Sequence, residues 1–85
     1  MKEITYYAIF DQSKNEEGIA VTFPDIYGGL TSGKDKEDAL KMAKDLLIHM
    51  LKNAPSQCEK PMSIEKMRAL FPKRHLEAIT VTLED

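Results

Sequence analysis

The chain has little that would staple it, anchor it or draw it to nucleic acid. Its one cysteine, Cys58, excludes an intramolecular disulfide, and no CxxC or Cys/His cluster has the spacing of a zinc site. Apolar runs are a few residues long, far short of the roughly 20 that span a bilayer. The opening residues Met1-Lys2-Glu3-Ile4-Thr5 lack the apolar block of a signal peptide, so a reducing cytosol is the expected location. There is no surplus of cations: 12 Lys plus Arg stand against 14 Asp plus Glu, a net charge of −2. That balance argues against a general nucleic-acid binder, whose affinity rests on cations facing phosphates. No GxxxxGK[ST] loop is present, nor an RRM-type aromatic pattern. An arginine phosphate cradle near the N-terminus, as acylphosphatases need, is excluded because no arginine precedes Arg68.

What remains is enough for one small domain. Eighty-five residues, 42% hydrophobic and 31% charged, describe a globular chain with a thin margin of stability. A domain of this size buries only about 60–65% of its unfolded surface, so association would help it.

Strand and helix periods alternate clearly along the sequence. Ile4–Phe10 is rich in aromatic and β-branched residues and predicts a half-buried strand. Asp11–Gly18 is polar and predicts a hairpin loop. Ile19–Phe23 predicts a second strand, ended by Pro24, which has no N–H for the ladder. Gly28-Gly29 predicts a tight turn, and Leu30–Ser32 a short third strand stopped by Gly33. Residues 36–52 predict the main helix, with Asp35 as N-cap. Its apolar stripe is Ala39, Met42, Ala43, Leu46, Leu47, Met50 and Leu51. Pro55–Pro61 reads as a linker, Ile64–Leu70 as a short helix capped by Ser63, and Glu77–Leu83 as a last strand. In that strand Ile79, Val81 and Leu83 point in, and Thr80 and Thr82 point out. The order β-β-β-α-(short α)-β implies an α+β domain, one antiparallel sheet with one face covered by the main helix.

Four groups of residues bear on chemistry. Glu3, Asp11 and Asp25 lie on or beside strands and are weighed as Mg²⁺-holding carboxylates, but Asp11 opens a polar loop and Asp25 follows a proline at a turn, both ordinary solvated placements. His49 and His75 share no ligand spacing and no neighbouring nucleophile. Lys66, Arg68, Lys73 and Arg74 form a basic cluster that a solvated helix face explains as well as contact with RNA or an acidic surface. Phe23-Pro24-Asp25-Ile26-Tyr27-Gly28-Gly29 is either core and turn chemistry or an exposed apolar–acidic tip. No nucleophile, base and oxyanion donor assemble, and no catalytic, metal or cofactor residue is assigned. The expectation is a binding or assembly module and not an enzyme.

Tyr7-Ala8-Ile9-Phe10, Gly18 through Ile26 with its Phe23-Pro24-Asp25 triplet, Gly28, Thr31-Ser32-Gly33 and Glu37-Asp38-Ala39-Leu40 together resemble the HicB antitoxin domain over roughly residues 5–52, and Ile79–Leu83 is similar to that family's last strand. The resemblance implies a reduced RNase H-like core without its active site. It also implies a role in masking a HicA-type toxin, a small RNA-cleaving protein. Tyr27 stands where many members have proline, and Gly29 where Cys or Ala is usual. Residues 1–85 are expected to form a single HicB-like domain without the C-terminal DNA-binding domain that many members carry, so direct DNA binding is not expected. HicA handles RNA and should be basic. The first 33 residues here carry Glu3, Asp11, Glu16, Glu17 and Asp25 against Lys2 and Lys14, which suits steering onto a cationic face. Candidate partner contacts are Phe23, Pro24, Asp25, Tyr27 and Asp11. A homodimer or higher homo-oligomer is expected through a sheet edge or the helix. The alternative is a stand-alone HicB-like homo-oligomeric scaffold or small-ligand binder without a toxin.

Overall fold

The computed structural model describes residues 2–12 and 18–83. Four strands form one sheet: β1 (Lys2–Gln12), β2 (Ile19–Thr22), β3 (Leu30–Gly33) and β4 (His75–Leu83), in the order β3-β2-β1-β4. Every neighbouring pair is antiparallel. Asp11 and Gln12, expected in the loop, extend β1 because they pair with Ala20 and Ile19. The rest of that expected loop, residues 13–17, lies outside the described residues.

Helix α1 (Lys36–Asn53) begins where the sequence signals it: the Asp35 carboxylate accepts the Asp38 N–H at 2.8 Å. Its end is satisfied in part by Asn53, whose amide donates to the His49 carbonyl at 3.0 Å. Ala39, Ala43, Leu47 and Met50 are buried against Tyr6, Ala8, Phe10, Val21, Ile79 and Val81, which strand alternation puts on a single face of the sheet. The buried stripe is narrower than the period suggests. Met42 is exposed at the helix flank.

Gly33 is the point of closest approach between sheet and helix. A Cβ there would lie 2.3 Å from the Ala39 nitrogen and 2.5 Å from its Cα, so only glycine lets β3 turn directly into α1.

A helix directly joining two strands of a sheet ordinarily makes them parallel. Here the chain leaves α1 and must return to the end where β1 finishes, because His75 pairs with Phe10. A 3-10 turn (Pro55–Gln57), an extended stretch and helix α2 (Ile64–Leu70, capped by Ser63) make that return. The second face of the sheet is consequently not bare, as a single covering helix would leave it. Ile9 points to that side yet is 8% exposed, and Met67 of α2 is fully buried. Arg68 and Phe71 share a recess with Leu76, the cross-strand partner of Ile9. The C-terminal end of α2 therefore adjoins this face at Leu76.

Candidate functional site

The turn between β2 and β3 is where the chain invests hydrogen bonds unrelated to its strands. Phe23, forced extended by Pro24, is 1% exposed and anchors the turn in the core. Within the turn the Phe23 N–H donates to the Gly29 carbonyl at 2.8 Å and the Gly29 N–H to the Ile26 carbonyl at 3.0 Å. A Cβ on Gly29 would sit 3.0 Å from the Cβ atoms of Phe23 and Ile26, and Gly28 has φ +81, the left-handed region. Glycine at both positions is thus built into the turn's geometry.

The segment expected to be a linker clamps this turn. Ile26 and Cys58 form an antiparallel bridge, flanked by the Tyr27 N–H donating to the Gln57 carbonyl at 2.8 Å and the Glu59 N–H donating to the Asp25 carbonyl at 2.7 Å. The Met62 N–H donates to Asp25 Oδ2 at 3.0 Å, and the Tyr6 hydroxyl donates to the Glu59 carbonyl at 2.7 Å. Gln57–Met62 is a strap, stitched to the turn and to β1. Nothing local announces this, since its partners lie about 30 to 50 positions away in sequence.

The electrostatics follow from that packing. Burial, and then the neighbouring Cys58, Asp25 and Glu59, hold the Tyr6 phenol above its ordinary range and keep it a donor. Burial likewise pushes the Cys58 thiol up, and its Sγ lies 3.6 Å from the Ala54 carbonyl. A thiol kept protonated is a poor nucleophile.

The five residues singled out as partner contacts are therefore not alike. Phe23 is core. Asp25 is only 7% exposed and serves the strap, which corrects the expectation of a solvated carboxylate at an exposed tip. A buried carboxylate needs donors, and Met62 supplies one. Pro24 is half-buried. Tyr27 carries the surface of the tip at 80% exposure, joined by Leu30 at 68%, which sequence reasoning missed because an edge-strand leucine has the same pattern as a buried one. A recess of about 430 Å³ beside Tyr27 is lined by Pro24, Asp25, Ser56, Gln57 and Glu59.

Asp11 lies apart from the tip, ion-paired with Arg74 at 2.8 Å. Glu3 faces Thr82 near the other end of β1, about 26 Å from Asp11 at strand rise, so the carboxylates weighed as a metal pair are dispersed. Among the described residues, no three of His, Cys, Asp and Glu gather where they could hold a metal ion. The histidines are separate too: His49 lies on α1 beside Asn53, and His75 at the start of β4 beside Glu77. Of the basic cluster, Arg68 and Arg74 line one recess, with Phe71, Pro72, His75 and Leu76.

The chain matches no protein-family model, no curated protein and no solved structure. Among the described residues, no helix is long and apolar enough to cross a membrane.

Proposed function

We propose that this chain is a HicB-like antitoxin domain that docks on a small, basic, RNA-cleaving toxin of the HicA type in the cytosol and masks it without catalysing a reaction. On this reading the four-strand sheet and its long helix form a reduced RNase H-like core. The observation that carries the proposal is the clamped β2–β3 turn, which displays Tyr27 and Leu30 to solvent beside a recess bearing Asp25 and Glu59. Large apolar side chains held on a rigid turn lose little entropy on binding and supply affinity. Acidic neighbours favour a cationic partner and speed encounter.

The test is co-expression with a small basic protein, should one be encoded beside it, or with a HicA-type toxin otherwise, read by growth and by co-purification. Growth rescue and a stable complex are expected. A Tyr27→Ala, Leu30→Ala double variant should fold normally and lose about 2 kcal/mol or more of binding, the scale of an interface hot spot. Absence of any complex, or a complex indifferent to both substitutions, overturns the reading.

One observation favours a second reading, a homo-oligomeric scaffold. Edge strand β4 runs nine residues, His75–Leu83, without a lysine or proline to discourage pairing. A second copy could pair there about a two-fold axis and continue the sheet. Light scattering showing a dimer that Thr80→Pro converts to monomer would support it.

A further inference from the structure

The basic residues that the sequence scatters meet at the other end of β2 from the docking turn. Lys36 opens α1, Lys73 and Arg74 lie in the turn after α2, and His75 opens β4. With Phe10, Asp11, Gln12 and Ile19 they line a recess of about 510 Å³, within the range of small-molecule sites. Two carboxylates hold the cations in place. Glu77 Oε1 lies 3.3 Å from Lys36 Nζ and 3.4 Å from His75 Nε2, and Asp11 holds Arg74. The carboxylates orient Lys36 and Arg74, and with Lys73 the three cations exceed the two carboxylates by one positive charge, which an anion would balance. The opposite wall is apolar: Ile19, and the edge of Phe10, whose ring meets that of His75 at 65° with centroids 6.4 Å apart. Gln12 adds an amide that can both donate and accept. Arg74 and His75 also border the neighbouring recess with Phe71, so an anion seated on them has apolar surface on either side.

We propose that this recess binds a phosphate monoester carrying a planar ring, the chemistry of a nucleoside monophosphate. Lys36, Lys73 and Arg74 take the phosphate, Ile19 and the His75 ring receive the planar group, and Gln12 reads a polar edge. Lysine and arginine suit the two parts of this task, a point charge and a planar fork. The recess does not include Tyr27 or Leu30, so this proposal stands or falls independently of docking on a toxin.

The test titrates the whole chain with AMP, adenosine, inorganic phosphate and hexaadenylate, following amide shifts by NMR. AMP should bind saturably and shift Gln12, Ile19 and His75, with adenosine and inorganic phosphate each weaker by about tenfold or more, since each lacks half of the contacts. Lys73→Gln with Arg74→Gln should weaken AMP by about tenfold. Lys36→Gln, at the start of α1 and away from the Asp11 pair, gives a second reading should the double variant fail to fold. Equal binding of inorganic phosphate and AMP would overturn the proposal, as would AMP binding that survives Lys36→Gln unchanged. Hexaadenylate binding that displaces AMP at far lower concentration would assign the recess to RNA and also overturn it. So would the absence of any AMP-dependent shift.

Discussion

Removing the Asp25 carboxylate distinguishes a strap anchor from a docking residue. In Asp25→Ala the backbone carbonyl that accepts from Glu59 survives, so the loss is confined to the bond from the Met62 N–H to Oδ2, 3.0 Å long and part-buried. A hydrogen bond to a charged group contributes about 1.5–3 kcal/mol, and a domain of this size melts roughly 4–8 °C lower per kcal/mol. The alanine variant should thus lose about 2 kcal/mol and melt on the order of 10 °C lower. Asp25→Asn, whose amide oxygen can still accept, should lose about half as much. Differential scanning calorimetry gives the melting shift, and hydrogen exchange at the Met62 amide gives its cause, since protection there should fall in the alanine variant. Tyr27→Ala is the contrast: an exposed substitution should stay within about 0.5 kcal/mol of the parent in stability while weakening docking. If Asp25→Ala melts like the parent and Met62 stays protected, the strap is not anchored as described.

Further expectations follow from the same packing. Gly33→Ala drives a Cβ to 2.3 Å from the Ala39 nitrogen, a clash with backbone that cannot rotate away, and should cost about 2–3 kcal/mol or more in urea denaturation with little change in slope; a midpoint equal to the parent's would refute the close approach. Because the folded state holds the Tyr6 phenol above its ordinary value, its contribution is fully present below about pH 10 and is lost as pH rises through the raised folded value. Denaturation series up to about pH 11 should show this decline, and Tyr6→Phe should flatten it at a cost of about 1 kcal/mol for the lost bond to Glu59. Cys58 should react with iodoacetamide at neutral pH far more slowly in the folded chain than in urea, because burial disfavours its thiolate; equal rates would contradict that.

Asp35 and Ser63 were legible as caps because a cap acts on an amide three positions away. The period of α1 and the alternation of Ile79, Val81 and Leu83 were legible because one residue's neighbours repeat at fixed spacing. Asp25 was not. As a residue after proline at a turn it looks solvated, and only the arrival of Met62, 37 positions on, buries it. Arg74 and Asp11 meet across 63 positions, which is why one was read as part of a basic run and the other as a loop acid. Tyr27 was read as a candidate contact and is exposed, but the exposure of Leu30 was missed, since apolarity alone does not say whether a strand lies at the sheet's edge.

The amino-acid order alone thus placed the four strands and two α-helices, though not the ends of β1 and β4, and showed where the helices begin and which glycines and prolines punctuate them. These depend on backbone preferences and contacts within a turn or two, and both are written locally. The antiparallel return of β4, the strap over the β2–β3 turn and the recess at the head of α1 were decided only by the folded chain. Each joins groups far apart in sequence, and such pairings leave no periodic trace along it.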